Sequence, residues 1–124
     1  MMGNKKTNEP GYLLDKTTGK YYPLREGRNL VGRKPKNSEP WADIPIESSD
    51  MGMSREHLYV DVIWCQDQRF HVYVSIAKAI NPTYLKGKLL MGGDIIGLEE
   101  NDIVTLCDTP LQFVGAQVDD TPGE

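Results

Sequence analysis

A chain of 124 residues with 39% hydrophobic and 26% charged residues has apolar content enough for one packed domain and too little length for two. Its 14 Lys and Arg against 18 Asp and Glu give a net charge of -4, which argues against a generic nucleic-acid binder, since such proteins present a strongly basic face. No window approaches the roughly 20 apolar residues of a membrane helix and the start has no apolar signal-peptide core, so a cytoplasmic protein without a membrane partner is expected.

Residues 1–10 are polar and close on Pro10, and 117–124 carry Asp-Asp and Thr-Pro-Gly; both ends read as disordered, leaving a domain over 11–116. Between them no window shows helical spacing of apolar residues over ten or more positions, and short β-forming runs alternate with turn residues. In chain order, strands are predicted near Tyr12–Asp15, Tyr21–Leu24, Asn29–Gly32, Asp43–Ile46, His57–Trp64 and Arg69–Ile76. Five more follow near Thr83–Leu85, Lys88–Leu90, Asp94–Leu98, Ile103–Cys107 and Leu111–Gly115. About eleven short strands and no helix imply an all-β sandwich of two mostly antiparallel sheets.

The clearest alternation sets Leu58, Val60, Val62 and Trp64 on one face, answered by Phe70, Val72, Val74 and Ile76 across a turn at Gln66-Asp67-Gln68. Period two fixes the register, so these even-numbered residues form the core side. Residues 34–42 read as a long loop with two prolines and Trp41, starting directly after Arg33. Loops of that kind on rigid scaffolds are common binding elements. Cys65 and Cys107 sit in apolar runs without the paired spacing of a zinc site and read as free, buried thiols; no metal and no cofactor are expected.

Three segments carry chemistry: Val31-Gly32-Arg33, Met53-Ser54-Arg55-Glu56-His57, and Asn81-Pro82-Thr83-Tyr84-Leu85-Lys86-Gly87. A phosphorylated side chain brings a charge of about -1.5 to -2 and several acceptor oxygens, and a fork-shaped guanidinium with small hydroxyls answers it. In this order and spacing the segments resemble the forkhead-associated (FHA) family, whose β-sandwich binds phosphothreonine peptides through loops. The resemblance implies that Arg33, Ser54, Arg55, Asn81 and Thr83 form the phosphopeptide site, with Gly32, His57 and Gly87 supporting the loops and Lys34 and Lys36 at the rim. It also implies that Asn81 pairs with the backbone of the bound peptide, an amide being both donor and acceptor.

Two positions depart from the family pattern: Ile80 stands where a Ser or Thr touches the phosphate, and Pro82 where a Gly follows the Asn. Leu98 to Leu106 matches the family's strand-turn-strand, with Asn101 in place of Gly, the residue type next most tolerant of positive φ. The expected function is a non-catalytic phosphothreonine-binding module acting as a monomeric signalling adapter, whose partner is a phosphothreonine-containing protein. The alternative is an FHA-fold scaffold that holds an unphosphorylated partner through a sheet face or the 34–42 loop. An enzyme with a small-molecule substrate is not expected, because neither His57 nor His71 has a nucleophile and an orienting group in sequence context, and no Gly-rich loop opens a helix.

Overall fold

The computed structural model describes residues 10–115, and the segments expected to be disordered lie outside them except for Pro10, which is buried. Eleven strands form: β1 (Gly11–Asp15), β2 (Tyr21–Pro23), β3 (Gly27–Arg33), β4 (Ile44–Ile46), β5 (Leu58–Trp64) and β6 (Phe70–Ile76). They continue as β7 (Thr83–Leu85), β8 (Lys88–Leu89), β9 (Ile96–Leu98), β10 (Ile103–Leu106) and β11 (Thr109–Gly115). One sheet has the order β2-β1-β11-β10-β7-β8 and the other β4-β3-β5-β6-β9. All pairings are antiparallel but one, β3 beside β4, which run parallel through the 34–43 connection.

The β5–β6 ladder runs in register from Leu58 opposite Ile76 to Trp64 opposite Phe70, as the period-two pattern requires. Leu58, Val60, Val62, Val72 and Val74 are buried and pack with Leu13, Val104, Leu106 and Leu111 of the facing sheet into one core. Burying side chains of this size is worth about 1.5–3 kcal/mol each against leaving them in water. Cys65 and Cys107 are free, but both are only half-buried, because each stands just past a strand end where the sheet gives way to a turn. Among the described residues there is no helix at all, and none long and apolar enough to cross a membrane.

Turns follow residue chemistry. Lys86 and Gly87 take φ of 55° and 79° between β7 and β8, the primed geometry that matches the twist of a two-residue hairpin. Asn101 takes φ of 72°, and its backbone N–H donates to the Phe113 carbonyl at 2.8 Å. The 47–57 and 77–82 loops close over the end of β3. The Arg33 N–H donates to the Ser54 carbonyl at 3.0 Å, and the Ala77 and Lys78 N–H groups donate to the His57 and Glu56 carbonyls at 3.0 and 2.8 Å.

Candidate functional site

Arg33 is the last residue of β3, and the residue before it decides how close the neighbouring loop can come. A Cβ at Gly32 would fall inside the Arg55 carbonyl group and within 2.8 Å of the Ser54 carbonyl oxygen, so only glycine lets the 54–55 backbone lie against the strand. That approach lets the Arg33 Nε donate to the Met53 carbonyl at 3.0 Å. The guanidinium is thereby anchored through one nitrogen, and among the described residues its two terminal amino groups remain uncommitted.

Ser54 is fixed from both ends. Its backbone N–H donates to His57 Nδ1 at 3.0 Å, and its hydroxyl oxygen accepts the Ile80 N–H at 3.3 Å, leaving the hydroxyl proton available to an acceptor in the cleft. His57 is fully buried, and since Nδ1 accepts, the proton sits on Nε2, which donates to the Thr83 hydroxyl at 2.8 Å. Burial drives the imidazole down from its ordinary pKa of 6.5 to about 4, the Asp50 carboxylate offsetting only part of this. His57 is therefore a neutral strut between two loops.

The 48–52 turn is organised by Asp50, whose backbone N–H binds the Ser48 hydroxyl. Its carboxylate accepts from the Gly52 N–H at 3.0 Å, the Asp108 N–H at 2.9 Å and the Thr109 hydroxyl at 2.8 Å. Desolvation works to raise its pKa, but hydrogen bonds from Thr109, Asp108 and Gly52 win and hold the carboxyl below its usual range. Across from it, Asn81 donates through Nδ2 to the Gly52 carbonyl at 3.0 Å, clasping the two loops. Its amide oxygen has no partner among the described residues and can accept from an incoming backbone.

Arg33, Ser54, Arg55, Lys78 and Asn81 meet in an open cleft of about 360 Å³. The Arg55 guanidinium lies 5.1 Å from the centre of the Trp41 ring, and Lys78 pairs with Glu56 at 3.4 Å. Three cations against one carboxylate in a concavity, with a hydroxyl and an uncommitted guanidinium fork, can grip a dianionic tetrahedral group.

The architecture that places this cleft has known counterparts. Yeast Pml1, a splicing factor of the RES complex, superposes with a TM-score of 0.73 at 21% identity over 95% of this chain and 86% of its own. The MEK1 FHA domain, solved in complex with a phosphothreonine peptide of HOP1, gives 0.68 at 22% identity over 88% and 99%. The FHA domain of the Chlamydia trachomatis protein CT664 gives 0.68 at 23% identity over 87% and 99%. The chain has the FHA fold. No family model matches the sequence and no curated protein is similar to it at the sequence level.

Within the cleft the structure brings together four of the five residues expected from sequence to bind phosphopeptide: Arg33, Ser54, Arg55 and Asn81. Thr83 is the exception, being buried with its hydroxyl on His57, because position 83 opens β7 on the inward-facing parity. Lys34 is held 3.5 Å from Glu47, and neither it nor Lys36 lines the cleft; the cation there is Lys78, set after β6 by the backbone bond to Glu56. Gly87 supports the β7–β8 hairpin rather than a cleft loop. Sequence reasoning also passed over Asp50, whose Asp-Met-Gly context is a signature of an Asx-turn.

Two clusters outside the cleft bring metal-ligating atoms within 4.8 Å of one another: Cys65, Asp67 and His71 on the β5–β6 hairpin, and Asp50, Cys107 and Asp108 beside the 48–52 turn. The first is closed by a 2.7 Å hydrogen bond between His71 Nε2 and the Asp67 carboxylate. The second shares the Asp50 carboxylate whose acceptor sites the turn already fills.

Proposed function

We propose that this protein is a non-catalytic reader of phosphothreonine in extended segments of partner proteins, acting as a monomeric adapter in cytoplasmic signalling. The observation that carries the reading is the Arg33 side chain, pinned at Nε and open at both terminal amino groups, beside a Ser54 hydroxyl whose oxygen is already occupied and whose proton is free. A phosphate dianion would take two hydrogen bonds from the Arg33 fork, one from Ser54 and charge from Arg55 and Lys78, while the Asn81 amide oxygen receives a peptide N–H. Recognition of phosphorylated motifs by arginine clusters uses this arrangement widely. The likeness to FHA domains, one of them solved with a phosphothreonine peptide, supports the same reading.

Ile80 stands beside the phosphate pocket with no side-chain donor, but its backbone N–H bonds Ser54 and so helps to orient that hydroxyl. Arg55, steadied against Trp41, brings a positive charge that offsets the hydrogen bond a side-chain hydroxyl at position 80 would otherwise give the phosphate. Binding is tested by fluorescence anisotropy with a degenerate phosphothreonine peptide pool, its unphosphorylated twin and Arg33→Ala. Capture of the phosphorylated pool alone, lost in Arg33→Ala, is expected; equal capture of both pools, or full affinity in the variant, would overturn the reading.

A further inference from the structure

The end of the sandwich opposite the cleft carries a meeting of side chains that phosphate recognition does not use. β5 leaves the cleft loops at Leu58 and runs to Trp64, so the β5–β6 turn lies about 20 Å from them. Of the chain's two cysteines and two histidines, His57 is the buried strut and Cys107 lies against Gly52. The remaining pair, Cys65 and His71, converges with Asp67 on this turn: Cys65 Sγ, an Asp67 carboxylate oxygen and a His71 ring nitrogen all lie within 4.8 Å of one another.

The hairpin holds them there. The Cys65 N–H donates to the Arg69 carbonyl at 2.9 Å, the Gln68 N–H donates to the Cys65 carbonyl at 3.0 Å, and Gln68 takes a φ of 66°, so the loop ends on a left-handed residue. In the ladder His71 stands opposite Ile63, which puts Cys65 and His71 on the parity facing away from the core, as diagonal neighbours across the two strands. On the other parity the Trp64 and Phe70 rings meet edge to face at 4.8 Å and brace the strands beneath the turn. Asp67 is oriented by the turn itself: its Oδ1 accepts the Arg69 N–H at 3.2 Å, and its Oδ2 accepts from His71 Nε2 at 2.7 Å. The Cys65 thiol makes a long, weak bond to the Ile63 carbonyl at 3.7 Å.

One sulfur, one imidazole nitrogen and one carboxylate oxygen on a braced turn are a donor set of borderline softness, which suits zinc rather than the oxygen-seeking calcium or magnesium. Tetrahedral bonds of about 2.0–2.3 Å place neighbouring ligand atoms roughly 3.3–3.7 Å apart, so the three atoms reach that arrangement by shifts of about 1 Å. Cys65 and His71 are half-buried and Asp67 is exposed, so such shifts disturb no core packing. Charge also balances, because a thiolate and a carboxylate meet a divalent cation while the imidazole stays neutral. Binding sends the Cys65 thiol proton to solvent and moves the imidazole proton from Nε2 to Nδ1, so that Nε2 offers its lone pair. The Arg69 N–H on Asp67 Oδ1 supplies the outer contact that keeps a carboxylate ligand in place, and the Arg69 side chain is exposed, where water screens its charge.

We propose that Cys65, Asp67 and His71 form a zinc site with three protein ligands and water in the fourth position, pinning the β5–β6 hairpin. Ligands separated by one and by three residues match no paired-cysteine spacing, and they meet only through the register of the hairpin. The Asp50, Cys107 and Asp108 cluster differs, since the Asp50 carboxylate already answers three donors of its own turn. The site stands apart from the cleft and does not depend on the phosphothreonine reading.

Cobalt(II) is the optical probe for the test. The full chain, reduced with a phosphine and freed of metal by a chelator, is titrated with cobalt(II) and then with zinc. The expected result is a thiolate-to-cobalt charge-transfer band in the near ultraviolet with visible bands of tetrahedral intensity, saturating at one cobalt per chain and displaced by zinc. Cys65→Ser and His71→Gln should each abolish the charge-transfer band, and Asp67→Asn, which keeps the oxygen without its charge, should weaken cobalt binding about 10–100-fold. Cys107→Ser should leave the bands unchanged. All three ligand positions lie outside the core, and matching urea transitions of the metal-free variants check that each keeps the fold. Absence of the charge-transfer band in the wild type, a band that survives Cys65→Ser or His71→Gln, or a band that disappears with Cys107 rather than Cys65, would overturn the site.

Discussion

Gly32 shows how much of the cleft rests on one missing atom. A methyl group there collides with the Arg55 carbonyl, so Gly32→Ala must push the 54–55 backbone off β3 and break the Arg33 contacts to Met53 and Ser54. The expected cost is about 1–3 kcal/mol in urea denaturation, as for overpacking elsewhere, with phosphopeptide affinity falling by a larger factor than the stability loss alone produces. Arg33→Lys separates charge from geometry: it keeps the cation but loses the planar fork and the Nε anchor, and should weaken phosphopeptide binding about tenfold or more by titration calorimetry. Equal affinity for Arg and Lys at position 33 would mean that the phosphate is held by charge alone. At this scale what was legible was the meeting of Arg33, Ser54 and Asn81 in one cleft, and it came from the conjunction of three spaced segments that resembles the FHA family, not from any one residue type. The sequence was not legible at Thr83, where only strand parity tells a hydroxyl facing the cleft from one facing His57, nor at Lys78, whose position is set by a backbone bond that no side-chain motif announces.

Among elements, the eleven strands were all foreseen near their places, because alternation in β5 and β6 and turn residues elsewhere leave few other arrangements. Sheet order was not legible: the parallel pairing of β3 with β4 and the insertion of β7 and β8 beside β10 depend on long-range packing that local pattern does not encode. The hairpin and the clasp can be separated by mutation. Gly87→Ala strains a φ of 79° in open space, so it should cost about 1 kcal/mol of stability without altering phosphopeptide affinity. Asp50→Ala does the reverse in emphasis. It strips the Gly52 and Asp108 N–H groups and the Thr109 hydroxyl of their acceptor, loosening the turn that carries Met51 and the carbonyl bound by Asn81. The expected result is roughly 1–3 kcal/mol lost in denaturation, together with weaker binding and faster amide exchange in residues 48–54. Unchanged exchange in that segment would show that the turn stands without its carboxylate.

For the molecule as a whole, the two sheets and the cleft are joined through one buried ring, and this gives folding a pH dependence of definite sign. His57 lies in the 47–57 loop at the start of β5, and Thr83 opens β7 in the other sheet, so their hydrogen bond spans the sandwich. In the folded state burial lowers the imidazole pKa to about 4, whereas in the unfolded chain it titrates near 6.5. Between those values the unfolded state binds a proton that the folded state refuses, so stability is full above pH 6.5 and declines as pH falls toward 4. Beside burial, the hydrogen bond works in the same direction: Nδ1 accepts the Ser54 N–H, and a proton there would oppose a donor with a donor. The carboxyls of Asp50, Asp67 and Glu47 are held below their ordinary range, so their losses begin as pH falls below the ordinary carboxylate range and become complete only beneath it. The urea midpoint should therefore drop between pH 6.5 and 4.5 in the wild type. In His57→Gln, which has no ionisable ring, the protein should be less stable at pH 7 and that slope should flatten. A wild-type slope retained in His57→Gln would place the titrating group elsewhere and leave the ring a packing residue. Because the same ring holds the Ser54 backbone, acid should loosen the Arg33 cleft together with the seam between the sheets, so the proposed phosphopeptide affinity and stability should fall over the same pH range.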